Sequence, residues 1–321
     1  MPYTGRSNLL KAIMAADLSP VTKKTYKDRG SMLKRETKRS LFYIASHPEV
    51  YIPWLEKEYP NVTSRKVYFS FILGLYKYNQ GFAEQCPEAY KKYVEVFKVA
   101  DQAVEARYKE NLPSDRQKDG YVPFADIIKK RDSLRSGVID KLLLGLYTYL
   151  PPIRCEYGRV ALYKSNAMPA SPDPNHIIDE KTLIISQFKT KRYHKPSVRE
   201  LPKELTKELR MSLNLQPRAF LFVNRFGDPF TSNGFSRWAG DRLQELFGKP
   251  LTVTIIRHSF INTLDFNTLS MAEKEEIAEA MQHTVTTQDR YRLLFRDTGS
   301  EKDAVATTSQ CKWVCTKDKV K

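Results

Sequence analysis

The chain has 321 residues, enough for two domains of ordinary size, each with a core of its own. Lys and Arg number 53 against 37 Asp and Glu, so the formal net charge is +16. An excess of this size favours a polyanionic partner, with nucleic acid ahead of an anionic membrane surface. No apolar run approaches the roughly 20 residues that span a bilayer, and the first residues lack the pattern of a secretory signal. We expect an unsecreted, intracellular protein.

The four cysteines are Cys86, Cys155, Cys311 and Cys315. Their number and spacing suit neither a disulfide framework nor a four-ligand zinc site. Cys311 and Cys315 could bind a metal only with distant histidines, because the surrounding tail offers no further ligand. We therefore expect reduced thiols, a reducing compartment and no metal site.

The first third of the chain predicts helices. Ser19-Pro20 is typical of an N-cap followed by Pro in the first turn, and Ser64 precedes an apolar series at helical spacing. Pro87 opens a long periodic pattern that continues to Val104. The first 50 residues hold ten Lys and Arg against four Asp and Glu, so this edge is the basic one. Residues 113–123, after this long pattern, contain helix-breaking residues and show no apolar periodicity. This stretch is therefore predicted to be a linker.

The middle of the chain predicts one helix and a β-hairpin. Apolar residues recur every four positions from Leu134 to Tyr149, and Pro151-Pro152 stops that helix. The short, branched and apolar stretch 182–188 predicts a strand, and 198–201 predicts its antiparallel partner. The loop between them is strongly basic, with lysines at Lys189, Lys191 and Lys195.

Helices resume in the last third. Ser232 predicts an N-cap and Gly248 the end of the same helix. Ser270 and Thr286 each precede an acid by three residues, the pattern of a capping box, which would place Tyr291 in the first turns of a helix. The predicted fold class is mainly α with a small antiparallel β-sheet (α+β). Its predicted parts are a helical domain 1–112, a linker 113–123, a second domain 124–298 and a polar tail 299–321.

The spacing of His283 and Tyr291, downstream of Arg257-His258, predicts part of a phosphodiester-cleaving site. Metal-free cleavage needs a nucleophile, fixed cations and an acid for the leaving oxygen. A phenol forms a stable phosphoester and can leave again, and arginine pairs with phosphate through a planar fork. Arg257 lies on an apolar helix, where an unpaired charge is costly, so we expect a functional partner for it.

Four segments together resemble the tyrosine recombinases. Residues 149–157, with Pro151-Pro152-Ile153-Arg154, resemble the family's first arginine box, and Lys189 falls where the family places its catalytic lysine. Residues 254–260 resemble the second arginine box, and 283–291 the box that ends in the nucleophile. Order and spacing agree over residues 120–295. Residues 18–26 resemble the start of the family's core-binding domain, and the Pro-Pro-Ile-Arg form is most similar to members from large DNA viruses and eukaryotic mobile elements.

The resemblance implies a site-specific DNA recombinase or integrase. Tyr291 would form a 3′-phosphotyrosine while Arg154 and Arg257 hold the non-bridging oxygens, with no metal or nucleotide cofactor. Lys189 would protonate the leaving oxygen, with Lys191 as the alternative, and His283 would assist proton transfer or bond the phosphate. His258 would contact the catalytic residues and support them without contacting the phosphate. Both domains would close on duplex DNA, four subunits would assemble on two duplexes, and the protein would act in a host nucleus or at a viral replication site.

Two departures from the family pattern keep alternatives open. Thr254 stands where the family usually has His or Lys, and a hydroxyl cannot shuttle protons near neutral pH. It could bond a phosphate oxygen or cap a helix that starts at Ile255, and capping is favoured. The spacing from His283 to Tyr291 is also one residue shorter than expected. The alternatives are a type IB topoisomerase, which the core-binding resemblance disfavours, and a catalytically silent DNA-binding protein of the same fold.

Overall fold

The computed structural model describes residues 9–191 and 195–293. They form two compact units that divide between Glu110 and Asn111, and each unit has its own buried apolar cluster. Within the described ranges, no helix is long and apolar enough to cross a membrane, and no group of three or more His, Cys, Asp and Glu side chains could hold a metal ion. Cys86 and Cys155 are free thiols. Cys311, Cys315 and the predicted tail lie outside the described residues.

The described part of the first unit is built of helices. Ser19 caps the second of them as predicted, because its hydroxyl accepts a hydrogen bond from the backbone N–H of Thr22. The helix predicted after Ser64 begins slightly earlier, at Val62, since the side chain of Asn61 accepts its first N–H groups. The helices are α1 (Leu9–Ala15), α2 (Pro20–Thr37), α3 (Leu41–Ser46), α4 (Pro48–Glu58), α5 (Val62–Tyr78), α6 (Phe82–Gln85) and α7 (Pro87–Lys109).

The second unit combines helices with one small sheet, and its apolar cluster lies between them. The helices are α8 (Asp115–Gly120), α9 (Phe124–Ser133), α10 (Ile139–Thr148), α11 (Lys203–Leu215), α12 (Ser232–Phe247), α13 (Val253–Ile261), α14 (Met271–Ala280) and α15 (Val285–Tyr291). The strands are β1 (Ala161–Tyr163), β2 (Asn175–Ile178), β3 (Thr182–Ile185) and β4 (Ser197–Glu200). Short 3-10 helices occupy Glu156–Arg159 and Ser165–Ala167. The fold is therefore mainly helical with a small sheet, as predicted.

The sheet has the strand order β1-β2-β3-β4 and is mixed, not purely antiparallel. The predicted hairpin is confirmed, with β3 antiparallel to β4. The strands β1 and β2 were not predicted, and they pair in parallel, with Leu162 opposite Ile177. This pairing is possible because residues 164–174 carry the chain back to the start of the sheet before β2 begins.

Three helix boundaries in the second unit differ from prediction. The helix before Pro151 begins at Ile139, not near Leu134, because Gly137 has a φ of +86° that breaks the helical path. Thr231, not Ser232, caps α12, since its hydroxyl accepts the N–H of Gly234. The capping box at Thr286 does not form, because Thr284 caps α15.

Other signals in the same unit are confirmed. Ser270 and Glu273 form the predicted capping box at the start of α14. Gly248 ends α12 with a φ of 65°. Inside the stretch predicted as a linker, 113–123, the structure has the helix α8, which starts with a capping box between Ser114 and Gln117. The stretch belongs to the second unit, and α8 ends at Gly120, which is buried.

Candidate active site

Arg257 lies at the centre of the candidate site and is fully buried. It is carried by α13, whose apolar residues belong to the core of the second unit. One terminal nitrogen donates to the carbonyl oxygens of Pro152, at 2.7 Å, and Met281, at 3.2 Å. The other donates to Nδ1 of His283 at 3.1 Å, while Nε has no hydrogen-bond partner among the described residues. Neutral acceptors thus fix the guanidinium without neutralising its charge.

The turn that follows α14 connects the two arginines and the basic loop. Gln282 has a φ of 57°, a left-handed conformation that ends the helix. Its carbonyl oxygen accepts from Arg154 at 3.4 Å and from the hydroxyl of Thr190 at 2.9 Å. The preceding carbonyl, of Met281, is the one that accepts from Arg257. A single turn therefore binds Arg154, Arg257 and the loop after β3.

Tyr291 is the last residue of α15, and its ring is packed against this cluster. The Cζ atom of Arg257 lies 4.9 Å from the centroid of the phenol ring. The ring centroids of His258 and His283 lie at 4.6 and 5.5 Å from it. The predicted residues Arg154, Arg257, His258, His283 and Tyr291, which come from three separate parts of the sequence, therefore meet in one place.

The two arginines change the acidity of the phenol. Burial alone would raise the pKa of Tyr291, but the charges of Arg257 and Arg154 and a hydrogen bond from each guanidinium outweigh it. The pKa of Tyr291 is consequently below its ordinary value. Such an environment stabilises a phenolate, which is the reactive form of a tyrosine nucleophile.

The two histidines have assignable protonation states. Because a guanidinium can only donate, Nδ1 of His283 accepts from Arg257, and the proton of a neutral ring is on Nε2. Burial and the charge of Arg257 lower the pKa of His258 to about 4, and the hydrogen bond to the Tyr291 backbone, which acts in the opposite direction, is outweighed. His258 is therefore neutral at physiological pH, which fits a supporting role more than proton transfer.

The basic loop presents Lys189 to solvent. The preceding Phe188 is buried, and Thr190 is bonded to the turn after α14. Lys189 itself is exposed, whereas Nζ of Lys191 donates to the side chain of Gln187 at 2.9 Å. Residues 192–194 lie outside the described ranges. Of the two candidate lysines, Lys189 is thus the one whose ammonium group is not held by a neighbouring side chain of the described loop.

Thr254 does not have the role favoured from sequence. Thr252 caps α13, with its hydroxyl accepting from the N–H of Ile255, so Thr254 lies inside the first turn. The Thr254 side chain is exposed, and no hydrogen bond joins it to the cluster among the described residues. The expected capping by Thr254 is wrong, because the extended residue that precedes the helix is Thr252.

Sequence reasoning missed two polar residues that border the cluster. Glu156 is largely buried, one of its carboxylate oxygens has no partner among the described residues, and burial raises its pKa. Its proximity in sequence to Arg154 was a signal that could have identified it. Gln117 donates to Nε2 of His258 at 3.0 Å, and no local signal points to this contact because the residues are 141 positions apart.

Comparison with known proteins identifies a fold likeness and no sequence family. No family model matches the chain, and no curated protein matches it. Among solved structures, the chain is similar to one described as the crystal structure of XerA recombinase. The identity is 17%, the match covers 95% of this chain and 96% of that chain, and the TM-score is 0.41.

Proposed function

We propose that the chain is a tyrosine-type site-specific DNA recombinase, which cuts and rejoins DNA through a 3′-phosphotyrosine intermediate. The observation that carries the proposal is the phenol of Tyr291, which lies against the buried Arg257 and beside Arg154, with a pKa below its ordinary value. Two cations that favour a phenolate also suit the two non-bridging oxygens of a phosphodiester. The resemblance of four ordered sequence boxes supports the same chemistry.

The proposed reaction exchanges one ester bond for another. The oxygen of Tyr291 attacks the scissile phosphorus, the bond to the 5′ oxygen breaks, and the phenol proton passes to solvent. Lys189 gives a proton to the departing 5′ oxygen, so a free 5′-hydroxyl is formed. A 5′-hydroxyl of a partner strand then attacks the phosphotyrosine and gives its proton to the neutral amine of Lys189, and the released phenolate regains a proton from solvent. Bond energy is conserved throughout, so no nucleotide cofactor is needed.

Arg154 and Arg257 would bind the non-bridging oxygens, and His283 would act as a third donor. Nε of Arg257 has no partner among the described residues, so one N–H remains for a phosphate oxygen. Nδ1 of His283 already accepts from Arg257, so the ring is placed to donate through Nε2 and not to act as a base. Because Tyr291 covers Arg257, an arriving phosphate must displace part of the phenol contact.

Duplex DNA is the proposed partner. The net charge of +16 favours a polyanion. A groove in the second unit is lined by Arg116 of α8, by the face of α12 that runs from Asn233 to Gln244 and includes Arg237, and by residues 250–252 before α13. Arginines of this kind are suited to backbone phosphates. Recombination by this chemistry joins strands from two duplexes, so we propose a homotetramer assembled on DNA.

The proposed setting is a large DNA virus or a eukaryotic mobile element, with the protein acting in a host nucleus or at a viral replication site. The Pro151-Pro152-Ile153-Arg154 form supports this setting. Integration, excision and resolution use the same strand exchange. Sequencing the DNA on both sides of the gene tests the setting, and short direct repeats are the expected finding.

The central test is trapping of the covalent adduct. A pool of duplexes with random sequence and nicks at several positions is incubated with the protein, and denatured protein that retains DNA is isolated and sequenced. A nick lets the short cleaved fragment diffuse away, so resealing is prevented. Wild type should retain DNA through Tyr291, Tyr291→Phe should retain none, and Tyr163→Phe, which removes a hydroxyl bonded to Asp173 in the sheet, should behave as wild type.

Two other outcomes would contradict the proposal. DNA binding without an adduct on any sequence would support the catalytically silent alternative, which the exposed Thr254 in place of a proton donor favours. An adduct accompanied by relaxation of one supercoiled circle, without strand transfer between two duplexes, would support the type IB topoisomerase alternative. Strand transfer between duplexes is the expected result.

A further inference from the structure

A chain of hydrogen bonds runs from α8 to the backbone of Tyr291. Nε2 of Gln117 lies 3.0 Å from Nε2 of His258, and Nδ1 of His258 lies 2.6 Å from the carbonyl oxygen of Tyr291. The other end of Gln117 is held by Ser114, whose backbone N–H and hydroxyl both donate to Oε1, at 2.8 and 2.9 Å. His258 is largely buried between these partners.

This series of hydrogen bonds permits only one arrangement of protons. The carbonyl of Tyr291 can only accept, so Nδ1 of His258 carries the ring proton, and Nε2 of the neutral ring must accept. Gln117 meets that need through its amide N–H, because Ser114 occupies its carbonyl oxygen. Each donor faces an acceptor from Ser114 through Gln117 and His258 to Tyr291. A glutamine is therefore specifically suited to this position.

The helix that carries Tyr291 depends on such contacts for its position. α15 has seven residues, and a helix of that length is marginal on its own. One turn beyond His258, Asn262 caps the end of α13, and it accepts from the N–H of Leu293 at 2.9 Å and donates to its carbonyl at 3.1 Å. The backbone on both sides of Arg292 is thus held by side chains at the end of α13.

We infer that Gln117 and His258 are positioning residues, which set the place of the Tyr291 backbone and thereby aim its phenol at the scissile phosphate. The inference rests on the proposed function, in which Tyr291 is the nucleophile. Neither residue touches the reacting atoms in this role. The segment 113–123, predicted from sequence as a linker, then belongs to the machinery that aligns the nucleophile.

The variant Gln117→Glu tests the direction of the bonds. A carboxylate keeps the capping box, because its oxygen still accepts from Ser114, but it has no N–H to offer His258. The proton of a neutral imidazole would then move to Nε2 to face the carboxylate, leaving a lone pair on Nδ1 against the Tyr291 carbonyl. A protonated imidazole would instead donate to both neighbours, and the alignment would be restored.

This reasoning predicts a pH-dependent defect. The groups that act on the imidazole are the introduced carboxylate, which raises the pKa of His258, and Arg257, which lowers it, and the tilted phenol ring of Tyr291 lies 4.6 Å away. The aligned, protonated state exists below the raised pKa and is lost as pH rises through it. Loss of alignment should slow cleavage by about a hundredfold, the cost of a misplacement of roughly 1 Å.

The experiment measures the rate of adduct formation in a single turnover, with saturating DNA. The DNA is a nicked duplex identified in the adduct-trapping test. We expect the rate of Gln117→Glu relative to wild type to fall as pH rises. Gln216→Glu is the matched control, since it makes the same change at an exposed glutamine of the same unit, and its relative rate should stay near one at every pH. A relative rate for Gln117→Glu that is flat with pH would overturn the inference.

His258 variants give an independent measure. His258→Phe keeps a ring but loses both bonds and should slow cleavage by about a hundredfold. His258→Asn places an amide N–H near the position of Nδ1, so it should recover most of the rate and make Gln117→Glu nearly harmless when the two are combined. Equal loss in the Phe and Asn variants would overturn the inference, because it would indicate packing alone.

Nitrogen NMR of the imidazoles separates this inference from the proposed function. The five histidines can be labelled, and the signals of His258 identified by their absence in His258→Asn. A proton on Nδ1 in wild type and on Nε2 in Gln117→Glu at high pH is expected whether or not DNA is cut. The opposite tautomer in wild type overturns the inference, whereas the expected tautomers without any adduct overturn the proposed function.

Discussion

Tyr291 differs from the other tyrosines of the second unit through two neighbouring charges. Arginine charges also act on the buried Tyr147 and Tyr157, but there burial dominates and raises the pKa of each. Burial acts on Tyr291 in the same direction, but Arg257 and Arg154 reverse the result. The phenol should therefore form phenolate at a lower pH than the ordinary value of about 10. Ultraviolet difference titration of wild type against Tyr291→Phe measures this pKa directly.

The sign of the pH dependence follows from the same charges. Cleavage requires the deprotonated phenol, so its rate should rise with pH and level off above the lowered pKa of Tyr291. Arg154→Gln removes one of the lowering charges, so the titration of Tyr291 should move to higher pH. An unchanged titration in Arg154→Gln would show that Arg154 does not act on the phenol.

Arg154→Lys separates charge from geometry at the phosphate. A lysine keeps the positive charge but cannot hold two oxygens through a planar fork. We expect adduct formation to be abolished while the affinity for DNA stays within about threefold, since a single ionic contact is retained. Gel-shift affinity and adduct yield on the same nicked duplex measure the two quantities. Full cleavage activity would remove Arg154 from the proposed site.

Among the helices, α13 determines how Arg257 and His258 are presented, and its start depends on Thr252. Loss of an N-cap hydroxyl costs about 1 kcal/mol, whereas an exposed substitution inside a first turn changes stability by less than about 0.5 kcal/mol. Thr252→Ala should therefore lower the free energy of unfolding by about 1 kcal/mol, and Thr254→Ala should leave it nearly unchanged. Urea denaturation of both variants measures this difference. Equal effects would contradict the assigned cap.

The contact of α12 with the 3-10 helix after Arg154 leaves no room for a side chain at Gly158. A Cβ atom there would lie 2.6 Å from Cβ of Phe235, whereas a Cβ atom at Gly240, in the same helix as Phe235, would meet nothing within 4 Å. Gly158→Ala should destabilise the protein by about 1–3 kcal/mol through overpacking. Gly240→Ala should stabilise it by up to about 1 kcal/mol. Thermal unfolding of the pair tests both signs.

For the molecule as a whole, the charge excess predicts how DNA binding responds to salt. Each phosphate that a cation neutralises releases counterions, so affinity should fall steeply and linearly on logarithmic axes. Arg237→Gln, in the groove beside α12 and α13, should reduce that slope by about one. Arg210→Gln, whose arginine pairs with Glu180, is the control and should leave the slope unchanged. A flat salt response would contradict DNA as the partner.

Signals that span a few residues were sufficient to predict much of the fold. The cap at Ser19, the capping box at Ser270, the stop at Gly248 and the hairpin of β3 and β4 are all confirmed. Each depends on side chains that bond or pack against backbone groups close in sequence. The stabilising contacts are therefore local, and the local sequence is enough to predict them. The residues of the candidate site were predicted from their order and spacing together with the family resemblance.

Other features depended on contacts between distant residues. Near the start of each of the helices α12, α13 and α15, more than one hydroxyl side chain could act as the N-cap. The caps are Thr231, Thr252 and Thr284, because packing determines where the extended backbone ends and the helix begins. The parallel pairing of β1 and β2 has no local signature. The cap positions and the strand pairing depend on which faces of the helices and strands become buried. A pattern of neighbouring residues does not specify this burial.

The sequence by itself determined which side chains are proposed for the site: Arg154, Arg257, His283 and Tyr291. Only the tertiary structure decided how they act together, through the turn at Gln282 that bonds Arg154 and the lysine loop. It also decided that α8 reaches His258, across 141 residues of chain. The physical reason is that a hydrogen bond between distant residues forms only after the intervening core has packed, so its partners are selected by the fold and not by their neighbours in sequence.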